Sequence, residues 1–315
     1  MENLRIINMA DVESRQVEFL WYPYIPFGKL TIVQGDPGEG KTTAVLQIAS
    51  LLTRGEKLPE DEQKREPIHV IYQTAEDGLA DTIKPRLEAA GADCSKVHVI
   101  DESEHGLSML DERIERALQE TGAKMLILDP MQAYLGSKVD MHRANEIRPV
   151  MKHIGDIADQ YGCAVILIGH MNKASGCKST YRGLGSIDFQ ATARSVLIVG
   201  RVKDDPTRRV IAHDKSSLAP EGGSIAFRLD KENGFYWEGP VDITVDELLS
   251  GEQSAAKLTE AKAFLSRFLK DGAKPSNKVI EAAATEGIKK RTLFTAKKES
   301  NITSVKTGDT WYWGF

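Results

Sequence analysis

The stretch Gly35-Asp36-Pro37-Gly38-Glu39-Gly40-Lys41-Thr42 reads G-x-x-x-x-G-K-T, the pattern of a phosphate-binding P-loop. The run before it, Lys29 to Val33, is rich in apolar and β-branched residues, as in a strand. The run after it, Thr43 to Leu52, is apolar on most sides, as in a buried helix. An ordinary Gly/Pro turn is the alternative, but it would not need these flanks. The predicted nucleotide-binding residues are Gly35, Asp36, Pro37, Gly38, Glu39, Gly40, Lys41, Thr42 and Thr43.

In this arrangement the backbone N–H groups of the loop and the helix dipole converge on a triphosphate. Lys41 would reach the β- and γ-phosphates, and the hydroxyl of Thr42 would bind Mg²⁺. The sequence therefore predicts ATP and Mg²⁺ as ligands.

Composition sets the broad class of the protein. With 315 residues, 41% of them hydrophobic, the chain is long enough for a large α/β domain and a smaller second one. The three cysteines Cys94, Cys163 and Cys177 are too widely spaced for a disulfide framework or a metal cluster, which favours a reducing compartment. Neither an apolar signal core nor a run of membrane-spanning length occurs. We therefore expect a soluble cytoplasmic protein with no membrane partner.

The charge is distributed unevenly along the chain. The net charge is −5, but residues 254–315 hold 12 Lys and Arg against 6 Asp and Glu, a local net charge of +6. A basic C-terminal segment on an acidic body predicts an anionic partner for that segment.

Apolar strands that end in polar residues extend the predicted site. Met125 to Asp129 is an apolar run closed by a carboxylate, the Walker B pattern, and Asp129 would hold Mg²⁺ through water. Pro130 follows, so the carboxylate that orients the attacking water must come from elsewhere. Glu76, after the strand Ile68–Tyr72, is the candidate, with Asp77 in reserve. The alternative is that Glu76 is a solvated loop acid.

His170 follows the buried strand Cys163–Gly169 and would face the ligand crevice, either sensing the γ-phosphate or capping the strand structurally. The next loop, Met171 to Ile187, carries cations among glycines, which suits a DNA-tracking loop, although surface loops are often merely basic. Its predicted DNA-binding residues are Lys173, Lys178 and Arg182.

Periodicity predicts the remaining elements. Helical spacing covers Leu79–Ala90, interrupted at Pro85, then Leu107–Glu120 and Ala144–Tyr161. Three later runs, Ser195–Val199, Arg209–Ala212 and Ser224–Phe227, indicate an antiparallel extension of the sheet. The aromatic residues of the N-terminal arm, residues 1–28, either pack on the sheet edge or stack on bases.

The C-terminal segment has the pattern of a winged helix. Helices are predicted over Leu258–Lys270, Ser276–Ala284 with Ser276 as cap, and Ile288–Glu299, followed by a hairpin over Ile302–Phe315. Trp311 and Trp313 alternate, so both are expected to fill the core of this module. The third helix would contact DNA phosphates through Lys289, Lys290 and Arg291. A small helical domain with solvated lysines is the alternative.

Taken together, these motifs resemble the RecA-fold ATPases, most closely the RepA-like AAA-family ATPases of plasmids, phages and mobile elements, relatives of the hexameric replicative helicases. The resemblance covers residues 21–237. The stretches that carry it are Gly28–Thr31, Gly35–Gly38, Thr74–Asp77, Pro85–Ala92, Leu128–Pro130, Gly169–Lys173 and Arg182–Gly183.

The resemblance implies an α/β RecA-like P-loop fold with a mostly parallel sheet, and it gives Lys41, Glu76, Asp129 and His170 catalytic roles. It further implies a homo-hexameric ring in which a neighbour supplies an Arg or Lys finger, for which Arg194 and Lys215 are the candidates by position. The predicted organisation is an N-terminal arm (1–28), an ATPase domain (29–250), a linker (251–257) and a winged-helix-like domain (258–315).

Three functions compete at this point. The first is an oligomeric ATPase motor or helicase that acts on single-stranded DNA in the replication of a mobile element. The second is a nucleotide-gated DNA-binding regulator that uses the winged helix. The third is a recombination mediator of the RadA type, which the missing zinc-finger cysteine set and protease-like domain disfavour.

Overall fold

Residues 6–63, 65–136, 139–141, 143–171, 187–203, 205–230, 233–250, 254–288, 290–307 and 310–315 are described by a computed structural model of the chain. The chain divides into two units, unit 1 (Met1–Asp246) and unit 2 (Glu247–Phe315). None of the helices described combines the length and apolarity that a bilayer crossing requires.

Unit 1 is built on one large sheet. Its strands are β1 (Phe19–Trp21), β2 (Ile25–Pro26), β3 (Leu30–Gly35), β4 (Val70–Thr74), β5 (Val97–His98), β6 (Met125–Asp129), β7 (Ala164–His170), β8 (Ser195–Val202), β9 (Asp205–Ser216), β10 (Ser224–Asp230) and β11 (Gly234–Val241). Nine of them pair in the order β11-β10-β9-β8-β3-β7-β6-β4-β5. The strands from β8 to β5 are parallel, and β9, β10 and β11 continue the sheet antiparallel. The predicted α/β class, with its antiparallel extension, is confirmed.

Helices cover both faces of this sheet. They are α1 (Lys41–Thr53), α2 (Lys84–Ala89), α3 (Glu112–Thr121), α4 (Ala144–Tyr161) and α5 (Ile187–Thr192), and a further helix, α6 (Val245–Ser250), spans the boundary between the two units. Alternate residues of β6, such as Ile127 and Leu128, point to opposite faces, and both are fully buried. Continuous apolar strands of this kind are expected where parallel strands lie between two helical layers. The predicted restart at Pro85 is observed, since a π-helical turn over Leu79–Ile83 gives way to α2 at Lys84.

The prediction of one helix over Leu107–Glu120 is wrong at its start. The helix α3 begins at Glu112, because the carboxylate of Asp111 accepts the N–H of Arg113 and caps the first turn. Leu107 is buried without being helical. An apolar residue at helical spacing therefore marked the core here and not the helix.

The N-terminal arm divides at Phe19. Residues 6–18 are exposed along their whole length, whereas β1 and β2 form a hairpin whose residues enter the core of unit 1. The Trp21 ring lies 4.4 Å from that of Tyr24, and its indole N–H donates to the Pro59 carbonyl at 2.9 Å. Both rings are buried, which agrees with packing rather than with base stacking.

Unit 2 contains three further helices and a small sheet. Its elements are α7 (Ser254–Phe268), β12 (Lys274–Pro275), α8 (Ser276–Thr285), α9 (Lys290–Glu299), β13 (Thr303–Thr307) and β14 (Thr310–Gly314), with the strands antiparallel in the order β12-β14-β13. Its core gathers apolar residues of all three helices, including Phe264, Val279 and Leu293, around Trp313.

Two expectations for unit 2 are wrong. Ser276 is the first residue of α8 and not its cap, since Pro275 occupies the N-cap and offers no side-chain acceptor. Trp313 is 3% exposed, but Trp311 is 50% exposed, because β14 extends past the edge of the small core. The two indoles share a face of the strand, and only one of them is covered.

Candidate nucleotide-binding site

The P-loop connects β3 to α1 at the carboxyl edge of the parallel strands. Gly38 and Gly40 have φ values of 80° and 87°, a conformation that glycine adopts without strain. Gly40 is the N-cap of α1 and has no side chain to satisfy the first N–H groups. A Cβ on Gly35 would lie 2.1 Å from the Val199 carbonyl oxygen, so only glycine fits there. The loop therefore presents backbone donors at a helix N-terminus, which is the cradle that a triphosphate needs.

Lys41 lies folded over this loop. Its side chain is 4% exposed, and its ammonium donates to the carbonyls of Gly35 and Asp36, each at 2.9 Å. Burial lowers the pKa of Lys41, and nearby carboxylates, Asp129 first, oppose that shift. The ammonium is held next to the loop by contacts that an incoming phosphate could replace.

Asp129 forms the second half of the site. Its Oδ2 accepts hydrogen bonds from Thr42 Oγ1 at 2.6 Å and from the hydroxyl of Tyr72 at 3.1 Å. Burial raises the pKa of Asp129, whereas the hydrogen bonds from Thr42 and Tyr72 lower it. Tyr72 is fully buried, and the sequence analysis did not single it out.

The oxygen atoms of the Thr42 and Asp129 side chains are suitable ligands for Mg²⁺. Both are hard oxygen ligands beside the phosphate cradle, and Mg²⁺ commonly takes one or two protein oxygens and completes its shell with water and phosphate. Among the described residues no group of three or more His, Cys, Asp or Glu side chains could hold a metal by itself.

Glu76 and His170 complete the crevice. His170 ends β7, with its Nδ1 3.3 Å from the Lys41 ammonium and its Nε2 4.0 Å from Glu76 Oε2. Because the lysine donates, Nδ1 is the acceptor and Nε2 carries the proton that faces Glu76. The Glu76 side chain is 65% exposed, which leaves its carboxylate open to water in the crevice. Asp77, the reserve candidate, is instead paired with Arg86 at 2.7 Å.

Two arginines that the sequence analysis missed support the P-loop from the antiparallel extension. Arg201 of β8 donates to the Gly38 carbonyl at 3.1 Å and lies 3.7 Å from the carboxylate of Glu39. Arg209 of β9 packs against Gly40, where an added Cβ would lie 3.1 Å from its Cδ. Burial lowers the pKa of Arg209, and its Nε is buried without a hydrogen-bond partner among the described residues. Alternation along the strands was the only sequence signal for either residue.

The candidate finger residues, Arg194 and Lys215, lie near the amino-terminal ends of the parallel strands, opposite the P-loop. Thr31 at the start of β3 pairs with Ser195, and Ser195 pairs with Ser216, so Arg194 and Lys215 sit about four strand residues from Gly35. Arg194 is exposed. Lys215 donates to the carbonyls of Gln190, Ala191 and Ala193 at 2.5, 3.3 and 2.8 Å. Neither side chain joins the site of its own chain.

Most of the predicted DNA-binding residues fall outside the described part of the chain. These are Lys173, Lys178, Arg182 and Lys289. Lys290 is exposed at the first position of α9, and Arg291 follows it in the same helix.

Comparison with known proteins agrees with this geometry. A family model described as an AAA domain matches residues 3–176. The DNA repair protein RadA of Bacillus subtilis is 25% identical over 148 residues, which is 46% of this chain and 28% of that protein. Its counterpart in Halalkalibacterium halodurans is 27% identical over 148 residues, again 46% of this chain and 28% of that protein. The chain thus spans less than a third of the length of these relatives.

Among solved structures, the ATPase domain of G40P superposes with a TM-score of 0.51 and 15% identity over 68% of this chain and 85% of that one. At this identity the similarity shows a common fold, and that fold is the RecA-like one that the sequence predicted.

Proposed function

This chain belongs to the AAA domain family and is a P-loop ATPase, and on that premise we propose that it is an oligomeric motor that uses ATP hydrolysis to move along or remodel DNA. The observation that carries the proposal is the convergence of Lys41, Asp129, Glu76 and His170 at the carboxyl edge of one parallel sheet. Ligands bind at this edge in open α/β folds.

The residues divide the work of hydrolysis between them. Lys41 and the P-loop N–H groups would hold the phosphates, and Glu76 would orient the attacking water and accept its proton. Mg²⁺, held by Thr42 and through water by Asp129, would supply charge neutralisation on the β- and γ-phosphates. His170 lies between Lys41 and Glu76, so it is positioned to link occupation of the phosphate site to the residues that follow β7.

DNA is the partner that several separate observations support. The RadA relatives are named as DNA repair proteins. Residues 254–315 carry a net charge of +6, and α9 presents exposed lysines. Single-stranded DNA, a homo-hexameric ring and a place in the replication of a mobile element are the finer parts of this proposal. An oligomer also accounts for Arg194 and Lys215, which do not reach their own P-loop and would act on a neighbour's.

A nucleotide-gated DNA-binding regulator is the second candidate. The observation in its favour is the element order of unit 2, α7-β12-α8-α9-β13-β14, which fits the predicted winged-helix-like module and would put α9 in the recognition position. A footprint on a defined duplex site without strand separation would favour this candidate over the motor. The third, a recombination mediator, draws support from the RadA relatives, but the match covers under a third of their length.

The deciding experiment measures ATP turnover of the full chain with and without single-stranded DNA. The motor predicts stimulation by DNA and a loss of turnover of about 100-fold or more in Lys41→Ala and Glu76→Gln. Asp77→Asn is the matched control, since Asp77 is paired with Arg86. Native mass with ATP and DNA, together and separately, reports the ring. Unstimulated turnover that survives both substitutions would rule the motor out.

A further inference from the structure

An exposed aromatic surface lies between α9 and the β13–β14 hairpin of unit 2. We call it the wing surface and define it by Phe294, Lys297, Lys306 and Trp311. Trp311 is 50% exposed and Phe294 is 44% exposed, both high for side chains of this size. Neither residue has a role in the site described above.

The exposed ring of Phe294 packs on a buried ring, and the exposed ring of Trp311 shares a strand face with that buried ring. Phe294 meets Trp313 edge to face, with ring centroids 5.0 Å apart. Trp311 is two residues before Trp313 on β14, so both indoles project from the same face of the strand, about 7 Å apart. Trp313 is 3% exposed and fixes the ring of Phe294 against the core. Both exposed rings are therefore anchored next to Trp313.

Lysines flank these rings. Lys306 on β13 pairs directly across the hairpin with Trp311, and Ser304 pairs with Trp313. The ammonium of Lys297 donates to Ser304 Oγ at 2.7 Å and lies 5.0 Å from the centre of the Trp313 ring. Within the described residues neither Lys297 nor Lys306 has a carboxylate within ion-pairing distance, whereas Lys262 and Arg267 are paired with Glu299 and Glu286.

Exposed aromatic rings flanked by lysines without a carboxylate partner among the described residues match the chemistry of a nucleic-acid strand. The flat ring of a base stacks on an aromatic side chain, and the phosphates beside it meet the ammonium groups. Stacking of this kind needs bases that are not already stacked in a duplex, so it selects single strands. A purely apolar partner would leave Lys306 and Lys297 without a counter-charge, and this disfavours a hydrophobic protein contact.

We propose that the wing surface binds single-stranded nucleic acid by stacking bases on Trp311 and Phe294 while Lys297 and Lys306 contact the phosphates. This proposal rests on the proposed function, because it specifies which DNA the C-terminal unit meets. It differs from the expectation that Lys289, Lys290 and Arg291 place α9 in the major groove of a duplex. In this proposal the single-stranded nucleic acid lies along the side of α9 that faces the β13–β14 hairpin.

The test uses the full chain and fluorescence anisotropy of a labelled 30-nucleotide dT strand, with a labelled 30-base-pair duplex in parallel. Trp311→Ala is expected to weaken binding of the single strand about 5- to 150-fold, the range for loss of one stacked base. Phe294→Ala should weaken it by a smaller factor within that range, and Trp311→Phe should restore most of it. Lys306→Gln should reduce the slope of log affinity against log salt by about 1.

Tyr236→Ala is the matched control, since Tyr236 is an aromatic residue of unit 1 that is 43% exposed. It should leave the affinity unchanged. Circular dichroism of each variant checks that unit 2 remains folded, and Trp311→Phe provides the functional check if Trp311→Ala loses structure.

The outcomes separate this proposal from the function on which it rests. Unchanged single-strand affinity in Trp311→Ala, with DNA-stimulated ATP turnover intact, overturns the wing surface and leaves the motor standing. Trp311-dependent binding without any stimulation of turnover supports the wing surface and counts against the motor. If the chain binds the duplex more tightly than the single strand and Lys290→Gln removes that preference, α9 contacts a duplex groove and the proposal is overturned. Binding of neither DNA also overturns it and points to a protein-binding surface.

Discussion

The ammonium of Lys41 lies 3.3 Å from Nδ1 of His170, which joins the P-loop to the end of the neighbouring strand β7. The other ring nitrogen of the same histidine faces Glu76 at 4.0 Å. One imidazole thus touches both the group expected to bind the γ-phosphate and the group expected to handle the attacking water. A displacement of Lys41 toward a phosphate would release Nδ1 of the ring that also faces Glu76.

Replacing His170 should therefore uncouple ATP hydrolysis from DNA. In His170→Ala we expect stimulation of ATP turnover by single-stranded DNA to fall about 5- to 150-fold, the range of an allosteric coupling energy. Affinity for ATP, measured with a fluorescent analogue, should change by less than about threefold, because Lys41 keeps its other contacts. His105→Ala, an exposed histidine elsewhere in unit 1, is the control. Full stimulation in His170→Ala would contradict the sensor role.

Tyr72 should govern how Asp129 serves Mg²⁺. Tyr72→Phe removes one of the two hydrogen bonds to Asp129 Oδ2 that lower its pKa. The pKa of Asp129 should then rise further, and the acid limb of the pH–rate profile should move to higher pH. The Mg²⁺ concentration for half-maximal turnover should increase roughly tenfold, as for other residues that orient a metal ligand.

Tyr134→Phe is the matched control for that experiment. Tyr134 is also buried, but its hydroxyl donates to Glu102 at 3.3 Å and not to Asp129. An unmoved acid limb in Tyr72→Phe, or an equal shift in both variants, would show that the hydrogen bond does not tune Asp129.

Arg201 should affect nucleotide affinity more than the chemical step. Its guanidinium holds the Gly38 carbonyl and faces Glu39, so Arg201→Ala loosens the P-loop without touching Glu76. We expect KM for ATP to rise about fivefold, equivalent to roughly 1 kcal/mol, with kcat nearly unchanged. Arg201→Lys should recover part of the loss. Arg208→Ala removes a neighbouring arginine that is paired with Glu238 at 2.6 Å, and it should leave KM unaltered.

His213 makes the stability of unit 1 depend on pH. Burial lowers its pKa from 6.5 to about 4, and its Nδ1 accepts the Gly222 N–H at 2.9 Å. Between about pH 4 and 6.5 the unfolded chain binds a proton that the folded chain does not, so stability rises with pH through this window. The free energy of unfolding should be roughly 2 kcal/mol lower at pH 5 than at pH 7.5 from this residue.

Urea denaturation at both pH values tests this contribution, with His213→Asn as the reference because it cannot titrate. The difference between the pH values should be about 2 kcal/mol smaller in the variant than in the natural chain. An equal difference in both chains would assign the pH dependence to other groups.

The sequence predicted the parts of the site that obey a strand-end rule. Asp129 and His170 end apolar parallel strands, and Glu76 lies two residues past one. Because the carboxyl ends of parallel strands share an edge, their meeting with Lys41 required no knowledge of contacts. Helix α4 was predicted to the residue because its apolar spacing and its flanks agree.

Other residues were beyond the reach of pattern. Arg201 and Arg209 reach the P-loop only because β8 and β9 pair antiparallel next to β3, a long-range register that alternation alone does not encode. By its sequence position Tyr72 is an ordinary core residue, and only the fold brings its hydroxyl into a hydrogen bond with Asp129. Trp311 was predicted to be buried and is exposed. Period-two alternation shows which face of a strand a residue is on, but it does not show how far the core extends beneath that face.

The Lys215 ammonium cannot bind its three backbone carbonyls and a neighbouring subunit's nucleotide at the same time. Its three backbone acceptors surround the carboxyl end of α5, directly after the basic segment 172–186. If a neighbouring subunit's nucleotide draws the ammonium away, α5 loses its terminal anchor in the same motion. Contact between subunits would then change how the carboxyl end of α5 is held.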